Sequence, residues 1–111
     1  MTLESPYTQV CLDAFINCEI LLKGQAKKRT LLSAQITKLL NECAHICMGT
    51  FYAIKNNSIN ASRLALLCMG ICDECAEVCD SIDNDLFKQC AQACRYCSNT
   101  VSELVVDGLE S

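Results

Sequence analysis

Eleven of the 111 residues are cysteine, and the formal net charge is −4. That cysteine content marks a disulfide scaffold or a metal or redox protein. With 4 Gly and 1 Pro the chain is too poor in turn residues for a β-sandwich or a loop-rich knottin, and its acidic balance argues against a nucleic-acid backbone as partner.

The length suits one domain, expected over residues 1–111. Ser5-Pro6 is a helix start, with Ser as N-cap and Pro in the first helical position. Helical spacing follows at Val10/Cys11, Ala14/Phe15, Cys18 and Leu21/Leu22. The polar stretch 24–29 breaks the pattern and reads as a connection. It contains the basic cluster Lys27-Lys28-Arg29, expected to be a solvated link. A second run takes in Leu32, Ile36, Leu39/Leu40, Cys43, Cys47, Phe51 and Ile54. It ends at the turn signal Asn56-Asn57-Ser58. Asn60 or Ser62 can cap a third run carrying Leu64, Leu67/Cys68, Cys72, Cys75, Cys79 and Ile82. Asp83-Asn84-Asp85 is a further turn and cap cluster. The fourth run has Leu86/Phe87, Cys90, Cys94, Cys97, Val101 and Leu104/Val105.

No segment alternates polar and apolar residues in strand fashion, so the fold expected is all-α, an antiparallel four-helix bundle with short loops. The longest apolar run, 64–72, is about half of what a bilayer requires. Residues 1–7 have no positive n-region and no apolar h-region, so they do not read as a secretory signal. A cytoplasmic location is therefore expected. Thiols stay reduced there, and the odd number of cysteines prevents complete intramolecular pairing.

Cysteines step by 4, 3, 4 in the third run and by 4, 3 in the fourth. Cys43 and Cys47 are four apart, and Cys11 and Cys18 seven apart. These are heptad steps that keep one stripe facing a partner helix, so all eleven occupy the interior seam. Counting from the loops at about 1.5 Å per residue puts Cys47 level with residue 70, Cys43 with 74 and Cys75 with 92. The same count puts Cys11 near Cys43 and Cys47.

Two cysteines at i and i+4 have Cβ atoms about 5–6 Å apart, a separation that a soft monovalent ion bound by two sulfurs can bridge. Thiolate selects Cu(I), zinc or iron–sulfur clusters. Zinc prefers closed four-ligand sites, and a cluster needs four cysteines converging on one point, so a column of i, i+4 pairs favours Cu(I). The pairs singled out are Cys43/Cys47, Cys68/Cys72, Cys75/Cys79 and Cys90/Cys94, with Cys11, Cys18 and Cys97 completing or bridging sites. His45 is turned about 200° from Cys43 and is expected at the surface. Met48 and Met69 flank the stripe, where packing is the ordinary role and handing on Cu(I) the functional one. Asp73, Glu74, Glu77 and Asp80 form a solvated acidic face. With one His lacking an acid/base partner and no phosphate loop, an enzyme is not expected.

Cys43-Ala44-His45-Ile46-Cys47, the run Cys68 through Cys72-Asp73-Glu74-Cys75-Ala76-Glu77-Val78-Cys79, and Cys90-Ala91-Gln92-Ala93-Cys94-Arg95-Tyr96-Cys97 together resemble the cysteine-rich four-helix-bundle copper storage proteins of bacteria, over residues from about 7 to 105. The resemblance implies many Cu(I) ions bound by core thiolates, cytosolic storage or detoxification, and often a homotetramer. A copper-delivering chaperone is a candidate partner. The chain departs from the fuller pattern where Phe15, Leu22, Ile36, Leu40 and Val101 continue the stripe without sulfur, which implies lower capacity. Two other classes stay open. One is a zinc or iron–sulfur protein; a brown colour would reveal the iron–sulfur cluster. The other is a structural or interaction bundle with thiol-rich packing, which would show no tight Cu(I) binding.

Overall fold

The computed structural model describes residues 5–28 and 33–110, with side chains described over 5–24 and 33–105. It contains four helices: α1 (Pro6–Lys28), α2 (Ala34–Lys55), α3 (Ala61–Asp80) and α4 (Asp85–Glu110). Each packs on its neighbours in sequence, and α4 closes the ring against α1.

Local chemistry sets most of the helix ends. Ser5 Oγ accepts the Thr8 backbone N–H at 3.1 Å, and Pro6 opens α1 as expected. Ser33 caps α2 through the Ile36 N–H. Helix α2 ends with Asn57 at φ 54°, a left-handed conformation that Asn tolerates. There Asn57 N–H bonds the Ile54 carbonyl and Ser58 N–H the Ala53 carbonyl, a Schellman closure. Asn60 holds the N-cap position of α3 without a side-chain cap bond; its own N–H is taken by Ser58 Oγ at 3.0 Å. Asn84 Oδ1 accepts from both Leu86 and Phe87 N–H, at 2.9 and 3.2 Å. Asn84→Ala is therefore expected to cost about 1 kcal/mol, read as a lower urea midpoint at unchanged slope.

Helix α1 does not stop at Gly24. It runs on to Lys28, so residues 24–28 are helical where a connection is expected. An exposed Gly followed by Gln, Ala and Lys carries no apolar stripe, yet the last three are good helix formers. Of the basic cluster, the side chains of Lys27 and Lys28 and the whole of Arg29 lie outside the described residues.

All eleven cysteines are buried, with relative exposures of 0–1 %. The register places Leu21, Leu40 and Phe87, each almost fully buried, beyond the sulfurs at one end of the bundle. Thr50, Ala65, Val101 and Val105 lie beyond them at the other. The stripe of α1 runs through Cys11, Ala14, Cys18 and Leu21, all at 0–1 % exposure. Phe15 and Leu22, expected in that stripe, are only half-buried at its margin. Phe15 leans toward α2, where it shares a groove with Ala44 and Met48.

Candidate metal centre

The sulfurs touch across helices as well as along them. Along single helices, the Sγ–Sγ distances are 4.0 Å for Cys43–Cys47, 3.8 Å for Cys68–Cys72 and 4.0 Å for Cys75–Cys79. Between helices, Cys47 lies 3.5 Å from Cys72 and 3.8 Å from Cys68. Cys43 lies 3.9 Å from both Cys72 and Cys94. Cys97 joins Cys68 at 3.7 Å and Cys11 at 3.9 Å, and Cys18 meets Cys90 at 3.9 Å. The shortest of these contacts crosses from α2 to α3.

The sulfurs converge in three groups, each within 4.8 Å throughout: Cys18, Cys43, Cys75 and Cys94; Cys47, Cys68, Cys72 and Cys97; and Cys75, Cys79 and Cys90. Cys75 belongs to two of them. Cys90 and Cys94, expected as one i, i+4 pair, fall in different groups, Cys90 with Cys75 and Cys79 and Cys94 with Cys18, Cys43 and Cys75.

The heights counted from the loops agree for three cysteines and not for the fourth. Cys47 contacts Cys68 and Cys72, which bracket residue 70, and Cys43 groups with Cys75. Cys75 groups with Cys90 and Cys94, bracketing 92. Cys11, however, sits by Cys97 and Cys68, while Cys18 is level with Cys43. The count was offset because α1 continues to Lys28 and α2 begins only at Ala34.

The buried polar residues are Thr8, Thr50 and Ser98, so no Lys, Arg or His is buried among the described residues. Within the column the thiols therefore answer only to one another. Cys68 is held well below the ordinary thiol value by S–H donation from Cys11, Cys47, Cys72 and Cys97. Cys75 is held down likewise by Cys18, Cys43, Cys79 and Cys90. Cys72 is pushed up by its bonds to Cys43, Cys47, Cys68 and Cys94 and by burial. Cys18 is pushed up through Cys43, Cys75, Cys90 and Cys94 and by burial. The S–H bonds thus favour the charged form at Cys68 and Cys75 and the neutral form at Cys72 and Cys18.

His45 is exposed, with Nδ1 3.4 Å from the Asn41 carbonyl, and faces away from the column. Met48 and Met69 are half-buried, Met69 against the core. Asp73, Glu74, Glu77 and Asp80 are exposed. Asp80 pairs with Lys88 and Arg95 of α4 at 3.6 and 3.4 Å. Sequence reasoning did not single out Thr50, whose hydroxyl donates to the Ile46 carbonyl at 2.7 Å and lies 3.3 Å from the Leu64 carbonyl, tying α2 to α3 beyond the last sulfurs. A lone Thr in an apolar stripe was its only signal. No helix among the described residues is long and apolar enough to cross a membrane.

A family model described as copper storage protein matches residues 4–106. Among solved structures, the chain is similar to the Cu(I)-bound copper storage protein BsCsp3. The two share 25 % identity and a TM-score of 0.79, over 89 % of this chain and 94 % of that one. No curated protein sequence gives a significant match. The family match takes in all eleven cysteines and the ring of helices that buries them, and the chain belongs to the copper storage protein family.

Proposed function

We infer that this chain binds several Cu(I) ions in its cysteine column and holds them as a store. The observation that carries this is a run of eleven buried sulfurs with no buried side-chain cation beside it among the described residues. Thiolate charge in an apolar interior is costly unless a cation offsets it, and here the soft metal is the cation. The ligands are Cys11, Cys18, Cys43, Cys47, Cys68, Cys72, Cys75, Cys79, Cys90, Cys94 and Cys97, in one metal-binding domain spanning the chain.

Charge also bears on capacity. Isolated two-sulfur sites would use eleven thiolates for about five ions and leave a negative charge on each. Interhelix contacts of 3.5–3.9 Å let one sulfur serve two ions, which moves the column toward neutrality. Anaerobic Cu(I) titration against a competing chelator is expected to saturate above about five ions per chain. A single tight ion would indicate a carrier or sensor, and none would leave a structural bundle.

Binding displaces protons. Burial and S–H bonds hold Cys18, Cys47 and Cys72 above the ordinary thiol value, so these are protonated near neutrality. Each ion displaces between one and two protons, fewer as sulfurs are shared, which tightens apparent binding by about 10- to 100-fold per pH unit as pH rises and weakens it equally as pH falls. Competition titrations one pH unit apart check the sign; a pH-independent affinity contradicts it.

The store works in the cytoplasm and carries no catalytic activity. It is filled by a copper-delivering chaperone and assembles as a homotetramer. Support for assembly comes from Ile16, Ile20, Leu66 and Leu67, apolar side chains left exposed on the bundle surface. Sedimentation equilibrium tests the assembly state.

A further inference from the structure

Zinc bound by four thiolates at about 2.3 Å places its sulfurs at the corners of a tetrahedron with edges of about 3.8 Å. Cys47, Cys68, Cys72 and Cys97 come near that arrangement. Four of their six edges are 3.8 Å (Cys47–Cys68), 3.5 Å (Cys47–Cys72), 3.8 Å (Cys68–Cys72) and 3.7 Å (Cys68–Cys97). The remaining two lie within 4.8 Å. In the other four-sulfur group one S–H contact is made, Cys43–Cys94 at 3.9 Å, and the remaining edges lie within 4.8 Å. The third group has three sulfurs and no fourth.

We propose that the copper-free chain holds one divalent zinc-type ion in a closed tetrahedral site made by Cys47 of α2, Cys68 and Cys72 of α3, and Cys97 of α4. All four side chains are fully buried. The site has no open position for water, so it holds an ion rather than activating one. Four thiols lose four protons to one divalent ion, which leaves two negative charges on the site. With no buried cation among the described residues to offset them, the ion is bound less firmly than its geometry alone would allow. Zinc then keeps three helices in register while copper is absent, and leaves as Cu(I) ions take the same sulfurs at lower net charge. That exchange rests on the copper reading above; occupancy by zinc alone does not.

The test uses the full reduced chain under anaerobic conditions with Co(II) as the spectroscopic probe, followed by Zn(II). The expected result is intense sulfur-to-cobalt absorption with the red d–d bands of a tetrahedral tetrathiolate, saturating at one ion per chain and bleached by one equivalent of Zn(II). Cys68→Ser and Cys97→Ser each lose this spectrum. Cys97→Ala, which buries no hydroxyl, serves if a serine variant fails to fold. His45→Ala keeps the spectrum, since the imidazole faces solvent. The absence of a tetrathiolate spectrum overturns the proposal, as does its survival in both Cys68→Ser and Cys97→Ala. So does its loss in Cys94→Ser with retention in Cys68→Ser, which would put the ion in the other group. The Cu(I) titration is a separate measurement, so failure of the zinc site leaves the storage reading standing.

Discussion

Cys72→Ala is expected to lower copper loading by more than one ion per chain and to weaken the ions that remain near it. Cys72 is one of the best-connected sulfurs of the column, with Cys43, Cys47 and Cys68 all within 3.9 Å of it. Removing it takes one corner from every ion those neighbours share. Loss of an outer-shell partner costs about 10–100-fold in metal affinity, and loss of a ligand costs at least that. Cys11 is the contrasting position. It stands at the end of the column, beside Cys97 at 3.9 Å and Cys68, so Cys11→Ala should remove about one ion and leave the others near parental affinity. Alanine is the better replacement, because serine adds a buried hydroxyl whose unmet hydrogen bond costs about 1–3 kcal/mol and mixes folding with binding. Chelator competition on the two alanine variants reads the difference. Equal losses would mean that the sulfurs act as independent pairs.

The residues that step by four and three announced the bundle. In α3 and α4 the intervals are fixed by the helix itself, so Cys68, Cys72, Cys75, Cys79, Cys90, Cys94 and Cys97 had to share one face of their helices, and each is buried. Depth within the bundle was less legible, because it depends on where helices stop. Polar residues 24–28 have no apolar stripe to reveal a helix, and misplacing that one end shifted Cys11 and Cys18 by about two turns against α2. A spacing of seven also leaves two candidates for the position between. Ala14 and Phe15 fit the period equally, and packing against a column of sulfurs chose the smaller one. Pairing was the least legible feature. Sequence intervals show which cysteines are neighbours on one helix, whereas Cys47–Cys72 and Cys18–Cys90 are set by how helices meet.

The same substitution that creates the store weakens the core. A buried Leu or Ile side chain contributes about 1.5–3 kcal/mol, and a thiol offers less apolar surface. Along this seam cysteine stands where Leu or Ile normally would, so the copper-free bundle leans on a few large side chains at the column ends. Phe87, Leu21, Leu40 and Val101 are the bulkiest of the fully buried apolar residues. Metal then contributes twice, by offsetting thiolate charge and by tying helices together through shared sulfurs. On this view stability and cargo are one variable.

Phe87→Ala separates the two contributions. The ring is completely buried one turn before Cys90, and no sulfur depends on it as a ligand. Its truncation leaves a cavity and costs about 3–5 kcal/mol, a large share of the roughly 5–15 kcal/mol that holds a domain together. The copper-free variant should therefore unfold at a much lower urea concentration than the parent, or be partly unfolded without denaturant. Each Cu(I) held at a free concentration about 100-fold above its dissociation constant adds about 2.7 kcal/mol to the folded state. Two such ions more than offset the lost ring. Loaded Phe87→Ala should thus be more stable than the copper-free parent while binding the same number of ions. Urea unfolding of both proteins, with and without copper, measures all four states. A copper-free variant within about 1 kcal/mol of the parent would mean the end of the column needs no plug. A variant that folds but loads fewer ions would mean the ring shapes the sulfur sites as well as sealing them.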